Sequence, residues 1–395
     1  MIVELDNKQS YSRSVYMDHA STTPLDPAVL EAMLPYMRGD FGNASSVHRL
    51  GRAARGAIEG SREQIAGFLN ANPEEIVFTS GATEANNLAL NALSSDSHLV
   101  TSTVEHKAVL EPAQALESCA VRVTYLAPDH NLGAPNTDQI AEAIEEDTCQ
   151  VSIMYVNNET GAVAPIKEIA SICRKRDVVL HTDAVQAAAW MPLDVEDLGV
   201  DMMSLSAHKM YGPKGVGILY VRSGVELSPQ VLGGSQERGR RGGTENVAAA
   251  VGMAAAMARA ANGRDAEAAR VQALRKELER RLKDRIGDQL VVNTPPHAAP
   301  HILSTAFGPV AGNPLDGEML LLNMDLEGIS ASAGSACSSG AITPSHVLLG
   351  LGLPEQTARA SLRLSLGRST TPEDIALTAE RIVKIVQRMR QQRVG

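Results

Sequence analysis

Between about residues 60 and 220, short apolar runs alternate with stretches of helical periodicity. The runs Glu75-Ile-Val-Phe-Thr79, Leu99-Val-Thr-Ser-Thr103, Val121-Arg-Val-Thr-Tyr125, Val151-Ser-Ile-Met-Tyr155 and Val178-Val-Leu-His181 have strand length and β-branched content. A turn, Ser80-Gly-Ala-Thr83, leads from the first of them into the helical Glu84-Ala-Asn-Asn-Leu-Ala-Leu. Such spacing predicts an α/β fold with a mostly parallel sheet covered by helices. After Thr244 the texture becomes alanine-rich, and a charged helix follows with Val271, Leu274, Leu278, Leu282 and Ile286 on one face. The segment Thr294-Pro-Pro-His-Ala-Ala-Pro300 is expected to break that helix. Thr371-Pro-Glu-Asp374 opens a last one, with proline at the first helical position. The change of texture puts a lobe boundary near residue 258.

Composition narrows the class. With 395 residues and 44% apolar content, the chain is too large for one core and suggests two lobes. A net charge of -10 argues against a nucleic-acid grip, and 3% aromatics leave little for base stacking. The first residues lack the pattern of a signal peptide, and no apolar run reaches membrane-spanning length. The four cysteines, at 119, 149, 173 and 337, form no Cys-x-x-Cys pair, as expected of reduced thiols in a soluble cytoplasmic protein.

The candidate chemistry begins at Lys209. It follows the apolar run from Asp201 and precedes Gly212-Pro-Lys-Gly215, which predicts a strand end facing a cleft. Desolvation there lowers the amine's pKa and frees its lone pair for Schiff-base chemistry. Upstream, the buried run from Val178 ends on Asp183. An acid to hold a pyridinium nitrogen and an amine to carry an aldehyde carbon are what pyridoxal phosphate needs. Ser80-Gly-Ala-Thr83 is the phosphate candidate, because amides at a helix N-terminus point at an anion. Gly233-Gly-Ser-Gln-Glu-Arg-Gly-Arg-Arg-Gly-Gly-Thr244 is a second glycine-rich, basic loop. His106, after another apolar strand, suits a ring that stacks on a cofactor and shuttles protons. His297 and His301 have the spacing of a helical metal pair, but the flanking prolines forbid the helix. Cys337 lies in Ser332-Ala-Gly-Ser-Ala-Cys-Ser-Ser339, where small residues would leave a thiol exposed. A free thiol is only a few per cent ionised at neutral pH, so its attack needs local activation.

Together these motifs resemble those of the group I cysteine desulfurases of the NifS/IscS kind, fold-type I pyridoxal phosphate enzymes within the class V aminotransferases. The resemblance also runs through Asp18-His-Ala-Ser-Thr-Thr-Pro24, Phe41-Gly-Asn-Ala-Ser-Ser-Val-His48, Val156-Asn-Asn-Glu159, His181-Thr-Asp-Ala-Val-Gln186, Ser206-Ala-His-Lys209 and Ser361-Leu-Arg-Leu-Ser-Leu-Gly-Arg368. It covers nearly the whole chain in order. It implies a large pyridoxal phosphate domain over 24–258, with a mostly parallel seven-stranded sheet. It further implies a smaller α+β domain from 1–23 and 259–395, which carries the Cys337 loop.

The resemblance also implies residue roles. Lys209 would be the Schiff-base lysine and Asp183 the partner of the pyridinium nitrogen. Gln186 and Asn158 would bond the phenolic oxygen, and His106 would stack on the ring. The phosphate would lie on the Ala82–Thr83 turn with Ser206 and His208, and Thr244 would reach in from the second subunit of a homodimer. Arg363, assisted by Asn158, would clamp the carboxylate of L-cysteine, and Cys337 would take its sulfur as a persulfide for an acceptor such as an iron–sulfur scaffold protein. A selenocysteine lyase or a related aminotransferase-like enzyme is the alternative, since it would share Lys209 and Asp183. The chain stops at Gly395, soon after its last helix, without the extended tail by which some family members dock such a scaffold, which leaves the acceptor open.

Overall fold

The structure is a computed structural model and describes residues 13–333 and 343–391. Among these residues there are twelve strands. They are β1 (Val15–Tyr16), β2 (Ile76–Thr79), β3 (His98–Ser102), β4 (Arg122–Leu126), β5 (Thr148–Ser152) and β6 (Val179–Asp183). The later ones are β7 (Met202–Ser206), β8 (Gly217–Val221), β9 (Leu290–Val292), β10 (Ile302–Phe307), β11 (Ile329–Ser330) and β12 (Ser361–Ser365). Seven of them form one sheet in the order β2-β8-β7-β6-β5-β3-β4. All its pairs are parallel except those of β8, which runs antiparallel to both β2 and β7.

The sequence pattern explains the order. β3, β7 and β8 are buried along their whole length, as strands covered on both faces must be. β4 is more polar, only partly buried, and forms an edge. The expected strands fall close to their places, with one informative shift. β5 ends at Ser152, so most of the run Val151–Tyr155 lies beyond the strand. Its amides still follow β6, Ile153 donating to the His181 carbonyl at 3.2 Å and Tyr155 to that of Asp183 at 2.9 Å. Those residues are apolar because they are buried, and burial continues past the end of the ladder.

A smaller domain joins this sheet. β12, β10 and β9 form an antiparallel sheet, while β1 pairs in parallel with β11. Bridges from Asp18 to Ser365 and from Ser332 to Arg363 stitch the two groups together. The helices Arg264–Ile286 and Pro372–Gln391 pack on each other. The first buries Val271, Leu278 and Leu282 as its periodicity predicts. It stops at Gly287, whose φ of 69° suits glycine, well before the prolines expected to break it. Those prolines lie in the connection from β9 to β10. The last helix begins as expected: the Thr371 hydroxyl accepts from the Asp374 amide at 3.2 Å, and Asp374 accepts from the Thr371 amide at 3.0 Å. No described helix is long and apolar enough to cross a membrane.

Candidate active site

The carboxyl ends of β2, β3, β5, β6 and β7 open on one side of the sheet, where a parallel α/β fold leaves a crevice. A cavity of about 980 Å³ lies there, roofed by Ala20–Thr22, Ala331–Ala333, Thr343, Pro344, His346 and Arg363. Ala82, Thr83, His106, Asn158, Asp183, Gln186, Ser206, His208, Lys209 and Arg363 all line it. Ten of the twelve residues singled out in the sequence thus meet in one space. Thr244 lies outside this cavity, exposed at the end of the glycine-rich loop. Cys337 lies outside the described residues; the described chain on either side of it, Ala333 and Thr343, borders the cavity.

One end of the cavity suits an anion. β2 turns at Gly81, with φ 156° and ψ 177°, into the helix Ala82–Leu90, whose first residues line the space, and the amides of a first helical turn have no partner within the helix. An acid in that first turn, Glu84, is neutralised by Arg241 at 2.8 Å and by the Ser80 amide at 2.8 Å, which hold its carboxyl below the usual range against the effect of burial. The His208 imidazole shares a hydrogen bond with the Thr22 hydroxyl at 3.1 Å. Burial and the neighbouring Lys209 and Lys214 charges push it down to about 4, so it is neutral at physiological pH.

At the centre, Lys209 ends a 3₁₀ turn directly after β7. Its amine donates to the carbonyls of Ala20 and Ser21, both at 2.6 Å. Desolvation and the Arg363 charge lower it to about 8, against the opposing pull of Asp18 and Asp183. Asp183, at the end of β6, accepts from the Asn86 amide at 2.7 Å and from the Val185 backbone at 3.0 Å. His106 caps the helix Lys107–Glu117, its Nδ1 accepting from the Ala108 amide at 3.0 Å. The proton of the neutral ring is therefore on Nε2. Desolvation lowers its pKa while Asp183 opposes the shift.

Arg363 lies on β12, a strand that carries no acid of its own. The fold supplies one: its Nη2 donates to Asp18 at 3.1 Å and to the Ser21 hydroxyl at 2.6 Å, and its Nη1 donates to the Asn158 carbonyl at 2.9 Å. Nε has no partner among the described residues.

Several functional neighbours escaped the sequence reading. Asn86 is fully buried on the helix Ala82–Leu90, and a polar residue on the buried face between Ala85 and Ala89 was the available signal. Glu105 is 1% exposed, accepts from the Met154 amide at 2.8 Å, and is raised well above the carboxylate range by burial. Glu159 is pushed up to about 7 by burial, opposed by a hydrogen bond from the Ser345 hydroxyl and by Arg363. His297 is exposed and His301 buried, so that pair does not converge.

Residues 15–377 match the aminotransferase class-V family. The chain is 44% identical over 383 residues to the cysteine desulfurase IscS of Dictyoglomus turgidum, covering 96% of each protein. A solved NifS-like protein superposes with a TM-score of 0.86 at 34% identity, over 95% of this chain and all of that one. A structure of SspA in complex with cysteine superposes with a TM-score of 0.78 at 37% identity, over 90% of this chain and 99% of its own.

Proposed function

The chain belongs to the aminotransferase class-V family and is a cysteine desulfurase, and from that premise we propose how its residues divide the work. It converts L-cysteine to L-alanine with pyridoxal 5'-phosphate as cofactor, and Cys337 receives the sulfur as a persulfide. The observation that carries this reading is the convergence of Lys209, Asp183 and Arg363 on one cavity from β7, β6 and β12.

The residues present fit the cofactor. The Ala82–Thr83 turn, Ser206 and His208 form a cradle for a phosphate at one end. Asp183, hydrogen-bonded by Asn86, suits a protonated ring nitrogen, and the lowered Lys209 amine suits its aldehyde. Gln186 and Asn158 would bond its phenolic oxygen, with His106 over the ring. When bound, the group supplies an electron sink for the charge left by breaking the substrate's Cα–H bond.

The chain's own residues do the rest. Arg363, held by Asp18 and Ser21, binds the substrate carboxylate with Asn158 beside it. Lys209, with a pKa near neutrality, takes the Cα proton and returns one on the way to alanine. His106 presents its Nε2 proton to the cavity. The Cys337 thiolate forms an S–S bond to the substrate sulfur as the substrate's C–S bond breaks, and that bonding pair stays with the carbon fragment, which takes up protons and leaves as alanine. A homodimer would complete the phosphate site with the partner subunit's Thr244. The persulfide would pass to an acceptor protein such as an iron–sulfur scaffold.

The test is the purified protein incubated with pyridoxal phosphate and L-cysteine. It should yield alanine and, after trypsin digestion, one extra sulfur on the Cys337 peptide alone. A coloured protein that releases alanine with no added sulfur on that peptide would defeat the assignment of Cys337.

A further inference from the structure

His301 is a buried histidine outside the cofactor-binding set. We propose that it is a positioning residue: it fixes the orientation of the Gln186 side-chain amide, so that Gln186 turns an N–H, not its carbonyl oxygen, toward the cofactor's ring oxygen. This rests on the reading that pyridoxal phosphate fills the cavity.

The argument starts from the Ala20 carbonyl, an oxygen that can only accept. It lies 2.8 Å from Gln186 Nε2 and 2.6 Å from Lys209 Nζ. The Gln186 atom beside it must therefore be the amide nitrogen, and the atom on the other side is Oε1. Oε1 lies 3.2 Å from His301 Nε2. Since Oε1 can only accept, His301 must carry its proton on Nε2. The rest of the ring agrees. Nδ1 is buried with no partner among the described residues, which suits an unprotonated nitrogen better than an N–H. Trp190 stacks on the ring at 5.0 Å and 15°, holding its plane, and only 2% of His301 is exposed. Burial and nearby positive charge push the imidazole down to about 3, so the neutral form persists at physiological pH.

The consequence lies in the cavity. A side-chain amide nitrogen carries two N–H groups. The Ala20 carbonyl takes one, and the other remains for the space that Gln186 lines. Flipping the amide would set Oε1 against both the Ala20 carbonyl and the ring oxygen, and would turn an NH₂ toward the His301 N–H. The relay from His301 through Gln186 and Ala20 to Lys209 thus sets a donor where the cofactor needs one.

The test is the pH midpoint of the visible absorbance of the yellow holoenzyme. A donor on the ring oxygen stabilises negative charge there and makes the neighbouring nitrogen less basic. His301→Leu should raise the midpoint by about 0.5–1 unit, the scale of one hydrogen bond. His301→Gln, which keeps a donor, should restore it. In a Gln186→Leu background, His301→Leu should shift it no further. An unmoved midpoint in coloured His301→Leu, or an equal shift without Gln186, overturns the inference alone. A wild-type protein that takes up no pyridoxal phosphate overturns the cofactor reading and the inference with it. A measurement that needs no variant is ¹⁵N NMR of the histidines in the apoprotein. It should show His301 as the neutral Nε2–H tautomer, and an Nδ1–H or doubly protonated ring refutes the relay.

Discussion

The lowered pKa of Lys209 has a kinetic consequence that can be measured before any turnover. With a value of about 8, roughly a tenth of the amine is neutral at pH 7, against about one part in 2,500 for an ordinary lysine. The apoprotein should therefore capture pyridoxal phosphate roughly two hundredfold faster at pH 7 than an unperturbed lysine would. The rate should climb about tenfold per unit below pH 8 and level off above it. Burial is the main cause and the Arg363 charge the second, while Asp18 and Asp183 pull the other way. Arg363→Ala removes the repulsion and frees Asp18, so the break in the profile should move to higher pH and capture at pH 7 should slow. The assay is the growth of visible absorbance after mixing apoprotein with pyridoxal phosphate from pH 6 to 10. A rate still rising steeply through pH 10, a break that moves down in Arg363→Ala, or equal capture by Lys209→Ala would refute the reasoning.

Three further outcomes follow from the same site. Arg363→Ala should raise the KM for cysteine about ten- to hundredfold while the cofactor stays bound, since a charge-assisted carboxylate contact is worth roughly 1.5–3 kcal/mol; steady-state kinetics check this. Cys337→Ser should keep the yellow colour and bind cysteine, yet yield neither alanine nor sulfide, because a serine hydroxyl is a poor nucleophile toward sulfur; a full alanine yield would make Cys337 a bystander. Glu159 keeps its proton in the folded state up to about pH 7, whereas in the unfolded chain it loses it near 4.5, so its contribution makes stability fall as pH rises between those values. Glu159→Gln should flatten that slope and gain at most about 3 kcal/mol over the wild type at pH 8, read as the difference between two denaturation series.

Much of the site is legible in the sequence because a parallel strand encodes its own carboxyl end. The apolar run that stops at Ser206 places Lys209, the run that stops at Asp183 places that acid, and Gly81 before a helical pattern places the start of the helix Ala82–Leu90. Each of these signals spans about ten residues or fewer. Cys337 is readable only in this way, through the motif around it. The contacts that tune the site are of another kind. Asp18 meets Arg363 across 345 positions, Asn86 meets Asp183 across 97, and His301 meets Gln186 across 115. No periodicity carries such pairings; they arise only when segments distant along the chain pack against one another. Charge state follows the same rule. Composition identifies Lys209, Glu105 and Glu159 as ionisable, but their pKa values move because packing removes water from around them. The sequence by itself determined which groups reach the carboxyl edge of the sheet. The tertiary structure decided which of them are paired and which are charged, because desolvation depends on chain segments that are distant in sequence.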